Sequence, residues 1–423
     1  MNRRELLTSS LAAAGSALIP SWPAVSREFD GHSPKALPLR VQRIAAEIAP
    51  GINVPALICN GSLTGPLLRV HTDERIEIDL TNDSGCAIRM GGPCLGQELR
   101  FAAGERRRVF LRSNCSSHTC AEISAVETTL NRLTGVAATF AQGGPTHEAD
   151  QTLHLTIHHW LPSLTPAAGA GLRAGVTYQY ATLGDHLLSA SEPIRVREGE
   201  RVQFCFFNAS PAKSVTLALA RHRFLVSKLD GYALTRPRAV HQITLGPGER
   251  VEALVHMDAP GRFVLGSIDR RDRSAGFGRV VEYHNYRGDP LQPDIASPSW
   301  EYGFFGSRAT GTANDATVIA VEFNPAYAAG IVSHRLHLSA GSRYRLSLLN
   351  VTGERHCVAV RGQPFLLTNV AGIGVTGILK DIVALPTFAR TEIEFVASES
   401  EVDLLHADSV MVTSGFPVSR PRV

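Results

Sequence analysis

Along most of this chain apolar and polar residues alternate with the period of two that a half-buried β-strand requires. The clearest stretch runs from Glu192 to Ser210, where Val202, Phe204 and Phe206 alternate with Arg201, Gln203 and Cys205. Before it, Pro193 to Val196 is a shorter extended run, and Glu198-Gly199-Glu200 supplies a turn. The same unit precedes it as Leu67 to Asn82 and follows it as Leu336 to Asn350. Each copy reads apolar strand, polar or glycine turn, an arginine, an alternating strand, then asparagine. Three copies so widely spaced predict three similar β domains in tandem.

Other runs follow the same pattern. Leu37 to Ile48, Leu99 to Leu111, Val136 to Phe140, Gln151 to Trp160, Val215 to Leu219, His222 to Lys228, His241 to His256 and Gly261 to Ile268 all read as strands or hairpins. Asp230-Gly231 reads as a tight turn. In the last third the strands are Gln363 to Val370, Gly377 to Ala384, Thr391 to Val396 and Val402 to His406. Glu122 to Leu133 is the one stretch that reads as a short helix. Short strands separated by Gly and Pro predict β-sandwiches. The divisions fall at 35–144, 150–288 and 312–423, with the Pro-rich segment 289–311 as a linker.

Composition changes this picture little. With 423 residues the chain has room for about three domains. A formal charge of +3 gives no electrostatic footprint for nucleic acid or an anionic membrane surface. The densest basic run, Glu105-Arg106-Arg107-Arg108, sits among alternating residues and reads as a solvated strand end. Residues 1–26 form a separate segment. Arg3-Arg4 precede a short, weakly apolar run ending at Leu18-Ile19-Pro20, which reads as a twin-arginine export signal and an address in the periplasm. The run is too short to span a membrane, which takes about twenty apolar residues. Of the seven cysteines, Cys86 with Cys94 and Cys115 with Cys120 are candidate disulfides in an oxidising compartment, while Cys205 reads as a buried thiol.

Local motifs make the pattern specific. NGSLTGPLLRV from Asn60, FFNAS from Phe206, HRFLVSKLDG from His222, LGPGERVEALV from Leu245 and KDIV from Lys380 occur in that order. Together they resemble the multicopper oxidases. The resemblance implies an all-β fold of three tandem cupredoxin-like Greek-key β-sandwich or barrel domains. It also implies copper as the cofactor, in a blue centre of Cys and His and a His-bound cluster that reduces oxygen.

The ligand motifs are where the chain departs from the family. The first H-x-H motif falls on Arg89 and Gly91, with neither His present. The second falls on His118 and Cys120. The third, H-P-x-H-x-H, falls on His356, Ala359 and Arg361. The last, H-C-H-x-x-x-H, falls on His406, Ala407, Asp408 and Val412, so the blue-copper Cys is an alanine. Only His118, His356 and His406 remain as family ligands. Arg cannot lend a lone pair, and Gly, Ala and Val have no donor side chain. The expectation is therefore no copper cofactor and no laccase-type catalysis, and a fold retained for binding or scaffolding a periplasmic protein partner. Copper-free members of the family, such as a twin-arginine-exported cell-division protein, are similar in this respect.

Other readings of the same residues stand beside this one. His356 and His406 are either hydrogen-bonding relics or residual metal ligands of a copper-dependent oxidoreductase. Cys115, His118 and Cys120 have a spacing that suits a soft metal, and a Cys115–Cys120 disulfide accounts for the same residues. His158 and His159, adjacent on a strand, point to opposite faces and form no chelate. Asp408 beside His406 reads as a carboxylate–imidazole pair.

Overall fold

The computed structural model describes residues 36–70, 75–91, 99–112, 119–125, 136–142, 149–161, 178–210, 213–293, 300–308, 315–323, 333–360 and 362–407. Within them the chain folds into six sheets in three sequence-contiguous pairs, and no sheet draws strands from two thirds of the chain.

The repeated unit builds the same framework each time. In the first third the opening strand Leu37–Ala49 runs parallel to the repeat strand Arg75–Asp83, which pairs antiparallel with Arg106–Arg112. In the middle third Gln151–Trp160, Arg201–Asn208 and Arg250–His256 are related in the same way. In the last third Thr317–Phe323, Arg343–Asn350 and Arg390–Val396 repeat the arrangement. A parallel neighbour cannot be reached by a tight hairpin, so each third must cross from one sheet to the other and back. The Greek-key crossover follows from this requirement.

Alternation decides which face of a strand turns inward. Val202, Phe204 and Phe206 enter the core, where the Phe204 and Phe206 rings stack at 5.6 Å. The opposite face of that strand is also covered: Gln203, Cys205 and Phe207 are buried. The strand is central in its sheet, and Cys205 lies between His154 and Glu252 on the two adjacent strands. The turn at Asp230-Gly231 has positive φ at both residues, 51° and 87°, the geometry of a two-residue hairpin.

The asparagine that ends each copy has a structural role common to all three thirds. Asn82, Asn208 and Asn350 are completely buried. Asn82 Nδ2 donates to the carbonyls of Cys86 and Ala102, both at 2.8 Å, and its Oδ1 accepts from Ser84 N and Oγ. Asn208 Nδ2 donates to the carbonyls of Lys213 and Leu245, and Oδ1 accepts from Ser210 N. Asn350 Nδ2 donates to the carbonyls of Glu354 and Pro386, and Oδ1 accepts from Thr352 N and Oγ1. A buried amide with both ends satisfied pins the chain leaving the strand to the hairpin turn beside it.

Among the described residues three large apolar clusters, and a small one of Phe207 with Ala209, fill the interior. One is internal to the first third, around Val41, Ile78, Ile88 and Phe101. A second joins the first third to the middle, with Ala46, Ile48 and Val54 against Trp160 and Leu187. The largest is continuous from Leu155 in the middle third to Leu404 in the last.

Two expectations need correction. Glu122 lies in the strand Thr119–Ala125, antiparallel to Ile88–Gly91, so the stretch from Glu122 does not begin a helix. Its Ile123 and Ala125 are buried in the first core, which is strand spacing. Residues 126–135 lie outside the described residues. Cys86 carries an unoxidised thiol 3.3 Å from Ser84 Oγ, so the Cys86–Cys94 disulfide is not formed. The run Arg106–Arg108 is a solvated strand end as expected. Arg106 pairs with Asp79 and Arg108 with Glu77 across the sheet surface.

Candidate functional site

The surviving ligand position that can be followed to its side chain is His356. It begins the strand His356–Val360, whose apolar residues seat it between Ile382–Leu385 and Glu401–Ala407. The imidazole is buried, with Nε2 at 2.6 Å from Thr352 Oγ1 and its ring stacked on Phe323 at 5.8 Å. Thr352 Oγ1 in turn bonds Asn350 Oδ1 at 2.8 Å. His356 Nε2 is thus engaged in the asparagine-centred network that closes the last third.

The other positions divide between two sheets. Arg89, on Ile88–Gly91, donates from Nε to Ser124 Oγ at 2.7 Å. Gly91 lies opposite Glu122, and the backbone of Cys120 lies opposite that of Thr139. In the last third the backbone of His406 pairs with Val358 and that of Ala407 with Cys357, while Ala359 lies opposite Ile382 and Leu405. The structure therefore brings the His356 and His406 strands side by side. Cys115, His118, Arg361, Asp408 and Val412 lie outside the described residues, and the Cys115–Cys120 pairing with them. Among the described residues no three His, Cys, Asp or Glu side chains come together in a way that could hold a metal ion. At Arg89, Gly91 and Ala359 the chemistry does not suit copper, because none offers a lone pair.

His158 and His159 point apart, as strand geometry requires. His158 stacks on Trp160 at 5.0 Å, and His159 meets the edge of Tyr178 at 5.7 Å. Burial pushes the His158 imidazole down to about 3, with the neighbouring His159 adding to the effect. His159 Nε2 is 3.9 Å from Asp272, whose carboxylate is held 2.7 Å from both Lys213 Nζ and Ser267 Oγ. Burial raises the Asp272 carboxyl, but the nearby His159 and the donors Lys213 and Ser267 outweigh it and hold the group at about 2.

A second constellation was not singled out from the sequence as a site, although its residues lie in the motifs quoted above. Asp230 of SKLDG, Glu249 and Arg250 of GPGER, and Lys380 and Asp381 of KDIV meet between the middle and last thirds. Lys380 Nζ is 2.7 Å from Asp230 Oδ2 and 3.1 Å from Glu249 Oε1. Arg250 donates from N to Asp230 Oδ1 at 3.0 Å and from Nη2 to Asp381 Oδ2 at 2.5 Å. Glu249 also accepts from Tyr302 O–H at Oε1 and from Gly246 N at Oε2. The Tyr302 hydroxyl accepts from Ala384 N at 3.2 Å. Burial lowers the Lys380 ammonium pKa, but Asp230 and Glu249 reverse this and hold the group charged. The sequence signal was present: charged pairs inside otherwise apolar strand motifs are rarely there without partners.

The family model for multicopper oxidases matches residues 175–284. None of the curated proteins compared with the sequence is similar to it. Among solved structures, a multi-copper oxidase from Pseudomonas thermotolerans superposes with a TM-score of 0.66 at 17% identity, covering 88% of this chain and 95% of that one. A laccase from Botrytis aclada gives 0.66 at 13% identity, covering 86% of this chain and 82% of that one. The bacterial laccase-like multi-copper oxidase CueO from Ochrobactrum sp. gives 0.63 at 16% identity, covering 91% and 93%. The chain has the cupredoxin-like fold of the multicopper oxidases. Its middle third carries their family sequence pattern as well.

Proposed function

We propose that this chain is an exported, copper-free protein on the multicopper-oxidase frame, acting as a binding or scaffold protein for a protein partner in the periplasm. Residues 1–26 serve as its twin-arginine signal. The units 35–144, 150–288 and 312–423, joined by the linker 289–311, are its three cupredoxin-like domains. The single observation that carries the reading is His356. At a position where the family holds a metal, its Nε2 is bonded to Thr352 and hence to Asn350. Arg89, Gly91 and Ala359 support the reading because they have no lone pair to give. Among the described residues no helix is long and apolar enough to cross a membrane.

The test is to produce the mature chain in the presence of copper and, separately, of zinc, and to measure bound metal alongside the visible spectrum. Folded, metal-free protein without a thiolate-to-copper band is the expected result. Stoichiometric copper with oxidation of phenols or metal ions would establish the alternative, a copper-dependent oxidoreductase. Metal retained by the chain and lost on Cys120→Ser would instead establish a metal-binding protein using Cys115, His118 and Cys120.

A further inference from the structure

The joint between the middle and last thirds contains three carboxylates, Asp230, Glu249 and Asp381, and two cations, Arg250 and Lys380, all of them buried. Three buried carboxylates against two cations leave one carboxylate without a matching charge, and burial favours the protonated form of that group. The donors indicate which one. Asp230 receives Lys380 Nζ and Arg250 N, and Glu249 receives Lys380 Nζ, Tyr302 O–H and Gly246 N. Among the described residues Asp381 receives Arg250 Nη2 alone. It is the least supported anion of the three.

We propose that this joint is an acid-tightened latch: the middle and last thirds clasp most firmly when Asp381 is protonated and less firmly when it ionises. The groups facing Asp381 are Arg250 from the strand Arg250–His256, Asp230 from the Asp230-Gly231 turn, Tyr232 from the strand Tyr232–Val240 that follows this turn, and Lys380 beside it. Glu249 and Tyr302 close the far side of Lys380. Burial raises the Asp381 carboxyl from 3.8 to about 7, against the pull of Arg250 and Lys380 and with the push of Asp230. The closed joint therefore holds a proton that an opened, hydrated Asp381 releases. With the closed-state value raised, the stabilisation is complete below the opened-state value. It declines as pH rises, and is lost once pH has passed through about 7. Tyr232 and Tyr302 are themselves raised by burial and stay neutral throughout this range.

The latch has its own reporters. The amides of Arg250, Gly246 and Ala384 donate to Asp230 Oδ1, Glu249 Oε2 and Tyr302 Oη within the joint. Hydrogen exchange of the intact chain at these amides, corrected for intrinsic rates, should be followed between pH about 4.5 and about 7.5. Protection is expected to rise toward acid by up to about tenfold per pH unit. Asp381→Asn, which keeps shape and removes the proton site, is expected to show pH-independent protection. Parallel curves for the two proteins would overturn the proposal. If the variant does not fold, infrared difference spectra of the unaltered protein between pH about 5 and about 7.5 decide the matter. A protonated-carboxyl band that fades across that range is expected, and its absence would overturn the proposal.

Discussion

Phe388 stands in the last third where Gly248 stands in the middle third. Each residue lies two positions before the arginine that begins a hairpin strand, in Pro386-Thr387-Phe388-Ala389-Arg390 and Gly246-Pro247-Gly248-Glu249-Arg250. Both adopt positive φ, 52° for Phe388 and 82° for Gly248, and Gly104 does the same in the first third at 75°.

Left-handed backbone costs a side-chain-bearing residue about 1–2 kcal/mol, and glycine almost nothing. Phe388 is 72% exposed, so little burial offsets the strain. Phe388→Gly is therefore expected to stabilise the chain by about 0.5–1 kcal/mol, after the larger chain entropy of glycine in the unfolded state is subtracted. The converse change has the opposite sign. At Gly248 a Cβ would sit 2.9 Å from Ile382 Cδ1 in addition to the backbone penalty, so Gly248→Ala should destabilise. Urea-unfolding midpoints of the two variants check both signs, and a destabilised Phe388→Gly would show that the aromatic ring makes a contact that matters.

The three buried asparagines predict a graded series. Asn208→Ala removes two donated bonds and one accepted bond, and leaves the carbonyls of Lys213 and Leu245 to find other partners. An unsatisfied buried polar group costs about 1–3 kcal/mol, so a loss of about 2–4 kcal/mol is expected. Asn350→Ala should cost more, because it also frees Thr352 Oγ1 and with it the anchor of His356. Denaturant unfolding of Asn82→Ala, Asn208→Ala and Asn350→Ala gives the order, and equal losses in the last two would mean that His356 draws nothing from the network.

How much of this was legible beforehand depended on whether a residue acts locally. Strand positions and the Asp230-Gly231 turn follow from alternation and from the backbone freedom of glycine, both properties of neighbouring residues. The asparagine ending each repeat was visible as a pattern, but its partners Leu245 and Pro386 lie 37 and 36 residues further on. Glu122 was misread because Ile123 and Ala125 are too few to separate a strand from a helix. Asp230, Glu249, Arg250, Lys380 and Asp381 stand inside quoted motifs, yet nothing within either motif says that the two halves meet. Their convergence is a tertiary fact, carried by contacts such as Arg250 to Asp381 across 131 residues.

His158 gives the pH dependence of the fold as a whole a direction. Its imidazole is fully buried against Trp160 and lowered from 6.5 to about 3. The unfolded chain therefore binds a proton at this residue in the range where the folded chain does not. With the folded value depressed, stability is present in full above 6.5 and is lost as pH falls toward about 3, by up to about 1.4 kcal/mol per pH unit. His158→Phe keeps an aromatic ring beside Trp160 and removes the titration. Its unfolding free energy is expected to fall less steeply than that of the unaltered chain between pH about 6.5 and about 4. This trend opposes that at Asp381, so acid should tighten the joint between the last two thirds while it weakens the middle third around His158. Thermal unfolding across that pH range, run on both proteins, separates the two effects. Profiles that remain parallel would remove His158 as the source of the acid sensitivity.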